Sequence, residues 1–454
     1  MSRRIYLWVK QHPLIVYFIL AYAISWAIVS PLVASAQGFI DVPVPFALHY
    51  LNDYAPMLAA ITTTRITDGA EGLGELFRRM IKWRVGLGWA LVAAFSMPVV
   101  FGLAAVIVLA EGRASPDPGL IGKVNYLPYL GLGVWLLWIL TAGIGEETGW
   151  RGYALPGLQR NMSALSATLI ITVFWVGWHL PRFFYFDAFM QRGFSVLPQF
   201  ALQELALALL LTWLYNGTNG SILMAALLHG GFNAFPASAA AAGGVNTIAI
   251  ELLVIWAAAL VVFALRPTDL SHKEGAVGLV LSGMGSMVLG LVAAIDPATA
   301  AGPAFAIFGI AAILLMLVGL SGLHALQKES YGRIGRAVFY TIFITSAVLI
   351  SGAAVQILGG TSVLLGSAPF ERPEFLVVAL GLLVGFVLYG VATLRARVLP
   401  RWYGVALVVA VPISFALVQY GGILLGLVFV VLGCALWLRG DALVEQPQRA
   451  RQVS

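Results

Sequence analysis

The chain has 454 residues, of which 60% are hydrophobic and 10% charged, and its mean hydropathy is +0.92. A soluble domain is about half apolar and about a quarter charged, and a single soluble core stops growing near roughly 250–300 residues. The composition therefore excludes a soluble enzyme, a disordered chain and a coiled coil, and leaves an all-α polytopic membrane protein. The single cysteine, Cys434, excludes a disulfide framework and a cysteine-based metal centre. The net charge of +6 does not indicate nucleic acid here, because lysine and arginine collect in the cytoplasmic loops of membrane proteins and set their orientation.

A helix needs about 20 apolar residues to cross the hydrocarbon. Spans are expected near residues 14–34, 46–64, 87–110, 127–145, 163–180, 195–215, 219–236 and 247–265. A second group is expected near 276–296, 303–325, 337–357, 375–394, 402–418 and 421–438. These unbroken apolar runs lack the alternation of a membrane barrel, so helices are the spanning element. The first run is longer than the core of a signal peptide and is expected to be retained. The 46–64 span carries His49, Asn52 and Asp53. Between the second and third spans, Leu73, Leu76, Phe77, Met80 and Ile81 recur at helical spacing among Arg78, Arg79, Lys82 and Arg84. That pattern predicts an amphipathic helix on the inner membrane surface.

Fourteen crossings with a cytoplasmic N-terminus place 21 of the 26 basic residues in inner segments. The other five, Arg113, Lys123, Arg182, Arg192 and Arg372, fall in outer loops. This split obeys the positive-inside rule and puts both termini in the cytoplasm of a cell's plasma or inner membrane. The polar stretch from Arg266 to Glu274 reads as a linker. The expected organisation is an eight-helix bundle over residues 1–266, a six-helix bundle over 267–441 and a polar tail over 442–454. In the second bundle Gly278, Ser282, Ser286, Gly290 and Ala294 repeat every fourth residue, and Gly422 and Gly426 form a GxxxG pair. Both patterns read as close helix packing.

Ionisable residues within a membrane are expensive and are functional candidates by default. The densest set is Glu146, Glu147, Arg151, His179, His229 and Asn233. Spans four and five turn near Asn161–Ser163, so Glu146 and His179 lie about 22 and 24 Å of helix rise from that turn. Spans six and seven turn near Asn216–Asn219, which puts His229 and Asn233 about 15 and 21 Å along the next helix. All can converge on one layer, and the spacing of four places His229 and Asn233 on one face. Glu147 and Arg151 are spaced for an ion pair along the helix. Glu146 is turned about 100° away, free of that partner and suited to act as a general base. Glu204 and Gln203 stand apart in span six, where Glu204 could line the same cavity. His49 and Asp53 could make a polar contact between helices. His12, His272 and His324 lie at cytoplasmic helix ends, where solvent suffices. No serine elbow, phosphate-binding loop or HExxH motif is present.

Glu146 to Arg151 reads EExxxR, Trp175 to His179 reads aromatic-xxxH, and His229 to Asn233 reads HxxxN. In this order the motifs resemble the CPBP family of intramembrane endopeptidases, which includes CAAX prenyl proteases and bacteriocin self-immunity proteins. The resemblance covers roughly residues 15–265 and includes Pro56–Ala60 and Tyr215–Ile222. Residues 267–441 match nothing in the family pattern. The resemblance implies cleavage of a membrane-associated, sometimes lipidated, protein or peptide near the cytoplasmic leaflet. Carried over, Glu146 and His179 activate water, His229 and Asn233 stabilise the oxyanion, and Glu147, Arg151 and Trp175 support them. In a metal version of that chemistry Glu146, His179 and His229 would ligate a divalent ion such as zinc. The motifs decide neither for nor against a metal, and no other cofactor is implied. A proton-coupled transporter and a non-catalytic immunity or scaffold protein are the alternatives, the first opposed by the lack of an internal repeat.

Overall fold

The computed structural model describes residues 3–110, 117–121, 123, 130–235, 272–295, 303–359, 373–417 and 420–452. Every regular element among them is helical. The chain divides into two compact units, Met1–Ile255 and Trp256–Ser454. The expected span at 247–265 and the expected boundary at 266/267 lie outside the described residues. Seven helices among the described residues are long and apolar enough to cross a bilayer, and three shorter apolar helices accompany them. The protein is a multi-pass membrane protein.

The first unit contains α1 (Arg3–Gln11), α2 (Pro13–Ala36), α3 (Ala47–Asn52), α4 (Ala55–Thr67), α5 (Gly69–Met80) and α6 (Leu87–Ala110). After α7 (Gly133–Trp138) the helix widens into π turns over Ile139–Glu146 and Trp150–Ala154, which flank α8 (Glu147–Gly149). It then closes as α9 (Leu155–Gln159). Next come α10 (Ala164–Trp178), a 3-10 turn over Leu180–Phe184, α11 (Asp187–Arg192), α12 (Leu197–Gly217) and α13 (Ile222–Ala234).

The expected single span at 46–64 is broken. Asp53 and Tyr54 separate α3 from α4, and Pro56 opens the new helix, a position where its missing N–H costs nothing. The break brings backbone close to backbone. A Cβ on Gly145 would run into the Asp53 carbonyl oxygen, and one on Gly149 would lie 2.5 Å from Pro56 Cβ. The helix of the EExxxR motif therefore sits directly on the α3–α4 break. The amphipathic segment forms α5, where Leu76 is buried while Phe77, and Ile81 just past the helix end, are exposed. Arg79 ties it inward by donating to the Gly152 carbonyl at 3.0 Å and the Tyr215 hydroxyl at 2.7 Å.

The second unit contains α14 (His272–Ile295), α15 (Pro303–Gln327), α16 (Gly332–Gly359), α17 (Pro373–Ala396), α18 (Arg401–Ala416) and α19 (Gly421–Gln452). The last helix continues through the stretch expected to be a tail. The small-residue stripe and the GxxxG pair meet each other. A Cβ on Gly426 would strike the Gly283 carbonyl oxygen, and one on Gly422 would lie 3.0 Å from the Ser286 carbonyl oxygen. His324 is not solvated as expected. It is buried, hydrogen-bonded to Tyr331 and stacked 3.9 Å from Phe339, because the turn after α15 folds Tyr331 back over it.

Candidate active site

Each site residue is placed by a local rule. Ser163 and Ser221 cap α10 and α13 by accepting from Ser166 N at 3.1 Å and Met224 N at 3.2 Å. The caps fix where the two helices begin and so the depth of His179 and His229. At the far end of α10, Pro181 follows closely and the backbone tightens into a 3-10 turn. His179 is the capping residue there, and its Nδ1 lies 2.9 Å from the Trp175 carbonyl oxygen. A carbonyl only accepts, so Nδ1 carries a proton and Nε2 is the ring nitrogen left for a partner.

The three motifs meet through Glu146, Glu147, Arg151, Trp175 and His229. Glu146, Glu147, Arg151, His179 and His229 are all at most 4% exposed. Glu147 Oε1 accepts from Arg151 Nη1 at 3.0 Å along its own helix and from His229 Nδ1 at 2.8 Å across the bundle. Glu147 thus braces Arg151 and also orients His229 through Nδ1, leaving His229 Nε2 for a ligand. That second role does not follow from the EExxxR spacing. The same cross-bundle link joins residues 82 positions apart. Asn233 stands one turn beyond His229 and is half-buried.

Trp175 is the hub. Its indole Nε1 donates to Glu146 Oε2 at 2.6 Å. The Arg151 guanidinium lies over its ring at 4.5 Å, and the His229 ring meets it edge-on at 5.4 Å. Glu146 is therefore free of Arg151 but not unpartnered. Its Oε2 is held and its Oε1 is left for a water. The indole does what no phenyl ring at this position could do, which is to hold the carboxylate by a hydrogen bond.

A second polar layer adjoins the first. His49 Nδ1 lies 2.9 Å from the Tyr185 hydroxyl, and Arg182 Nη2 lies 3.6 Å from Asp53 Oδ1. The contact expected of His49 and Asp53 therefore runs to the turn after α10. Arg182, assigned by sequence to an outer loop, lies within electrostatic reach of Glu146 and Glu204. Glu204 is buried, within similar reach of Glu146, His229 and Arg151, and its Oε2 has no hydrogen-bond partner. A basic residue three positions after the aromatic-xxxH histidine was the available signal for Arg182.

The donor set does not fit a metal. Among the described residues no three His, Cys, Asp or Glu side chains are grouped to hold an ion. Glu146, His179 and His229 are thus not grouped as a set of metal ligands.

The fold and cluster define a multi-pass membrane protein with a buried glutamate–histidine centre. Residues 128–235, which carry all three motifs, match the family model described as type II CAAX prenyl endopeptidase Rce1-like. A protein of Methanococcus maripaludis named CAAX prenyl protease 2 is 30% identical over 149 residues. That match takes in 30% of this chain and 53% of the relative, so the chain spans about half the length of the curated relative it matches. The segment with the three motifs is thus similar to CAAX prenyl endopeptidases.

Proposed function

We propose that the chain is an intramembrane endopeptidase that hydrolyses a peptide bond of a membrane-associated protein or peptide near the cytoplasmic leaflet. The observation that carries the reading is the single buried network joining Glu146, Trp175, Arg151, Glu147 and His229. Glu146 takes a proton from the attacking water on Oε1 while Trp175 steadies Oε2. His179, fixed by its bond to the Trp175 carbonyl, accepts from the same water through Nε2. As the tetrahedral oxyanion forms, His229 and Asn233 donate to it, and Glu147 stabilises the charge that His229 carries. Glu146 then returns its proton to the leaving amine.

The chemistry belongs to a unit of residues 1–266 with eight crossings, followed by a six-crossing unit of residues 267–441. Both termini are cytoplasmic, and the substrate is membrane-associated and open to lipidation, as the relative's name suggests for that protein. The test is a comparison of protein termini in membranes from cells carrying wild type or Glu146→Gln. New termini should appear with wild type alone. Identical termini in the two strains, with the variant stably inserted, would overturn the reading. A proton-coupled transporter would instead show proton-linked flux in proteoliposomes that is lost on the same substitution.

A further inference from the structure

The first unit carries a second recess that the buried glutamate–histidine cluster does not use. It is a cleft of about 720 Å³ between the junction of α1 with α2, the end of α4, α5 and the residues after α9. Its depth follows from α2. Lys10 and His12 line the cleft, and at Pro13 begins a 24-residue helix apolar enough to cross a bilayer. The cleft therefore lies at the level of the lipid headgroups. The amphipathic α5, which contributes Arg79, lies at that same boundary. Leu14 and Ile15 continue the wall toward the hydrocarbon, and Ile15 is 51% exposed. The recess thus grades from charged groups into an apolar surface.

Four stretches of chain bring charge to it: Lys10 from α1, Asp68 from the α4–α5 junction, Glu75 and Arg79 from α5, and Arg160 after α9. Glu75 and Arg79 answer each other at 3.7 Å, and Glu75 also holds Arg78 at 2.8 Å. The other three have no counter-ion among the described residues. The Lys10 ammonium lies over the Tyr6 ring at 5.0 Å, Asp68 accepts from the Thr67 hydroxyl at 2.6 Å, and the Arg160 side chain makes neither a hydrogen bond nor an ion pair. Two cations against one carboxylate leave a surplus of one positive charge in the cleft, which a single phosphodiester neutralises. Gln11 and Asn161 add amide donors to the same wall.

We propose that this cleft holds the headgroup of one anionic phospholipid, its phosphate taken by Lys10 and Arg160 and an acyl chain laid along Ile15. Basic recesses at the ends of spanning helices are suited to acidic headgroups. A zwitterionic lipid would leave the surplus charge unanswered, and a soluble phosphate would leave the apolar wall bare. The inference is independent of the proposed peptidase activity.

The test uses the full chain, stripped of lipid in a neutral detergent. It is titrated with dioleoylphosphatidylglycerol, dioleoylphosphatidylcholine or inorganic phosphate and weighed intact by native mass spectrometry. One phosphatidylglycerol should be retained at concentrations where neither of the others is. Lys10→Gln with Arg160→Gln should weaken that retention about 30-fold, the worth of two cations at a membrane surface. Lys10→Arg with Arg160→Lys should keep it. Arg65→Gln with Arg84→Gln removes the same charge from exposed positions outside the cleft and should leave retention nearly unchanged. Equal retention of the two lipids by the wild-type chain would overturn the proposal, however the variants fold. So would an equal loss in the two charge-removing pairs, which would make the binding a diffuse surface attraction. Inorganic phosphate held as tightly as the lipid would give the cleft to a soluble anion instead.

Discussion

Both units bring helices together at glycine, as Gly145 does against Asp53 in the first, but among the described residues the first alone also buries carboxylate and arginine side chains. The first buries charge: Glu146, Glu147, Arg151, Asp53 and Glu204 are all withdrawn from solvent. The second brings backbones together through glycine, with Gly283 against Gly426 and Gly290 against Gly422. Lipid tails are as apolar as leucine, so helices associate through close van der Waals contact or through polar bonds. The second unit uses the cheaper route. Buried charge is expensive and adds little net stability over apolar packing, so its concentration in the first unit supports the proposed chemistry.

This contrast can be broken by substitution. The largest effect should come from Glu146→Gln, which removes the base. Cleavage should fall by about 10²- to 10⁴-fold, the usual contribution of general acid–base catalysis, with the thermal midpoint nearly unchanged. A variant that cleaves like wild type would reduce the first unit's carboxylates to packing. Arg151→Met comes next. It leaves Glu147 buried with only His229, and losing one partner of a buried pair costs about 3–5 kcal/mol. Unfolding measured in detergent should show it as a large fall in midpoint.

Gly426→Leu sharpens the other half of the comparison. The new side chain would strike Gly283 and Met287, and overpacking costs about 1–3 kcal/mol. The second unit should loosen while cleavage by the first survives, which proteolytic fragments and a peptidase assay would separate. Loss of both together would show that the units do not act separately. The smallest effect should come from Arg78→Ala. Its pair with Glu75, at 2.8 Å, has side chains 72% and 50% exposed, and such pairs contribute about 0–1 kcal/mol. A midpoint shift within measurement error is expected.

Part of the site was legible because spacing along one helix is rigid. Equal rise from the turn at Asn161–Ser163 predicts Glu146 and His179 at one depth, but that count assumes regular helices, and the π turn over Trp150–Ala154 interrupts it on the Glu146 side. The Glu147–Arg151 pair follows from a spacing of four. Other features were not legible. The π turns around the motif depend on the glycine contacts with Asp53 and Pro56, which come from a distant helix break. The bond from Trp175 to Glu146 crosses 29 positions. Arg182 looked like an ordinary loop cation until the turn after α10 carried it to Asp53.

Composition and periodicity alone determined that this is a helical membrane protein and which neighbours pair along one helix. These are local properties, set by hydrophobicity and by 3.6 residues per turn. Only the tertiary structure decided that Glu147 orients His229 and that Trp175 holds Glu146. Those partners are chosen by how separate helices rotate against each other. That rotation is fixed by steric contact between surfaces far apart in the chain, which no spacing within one helix records.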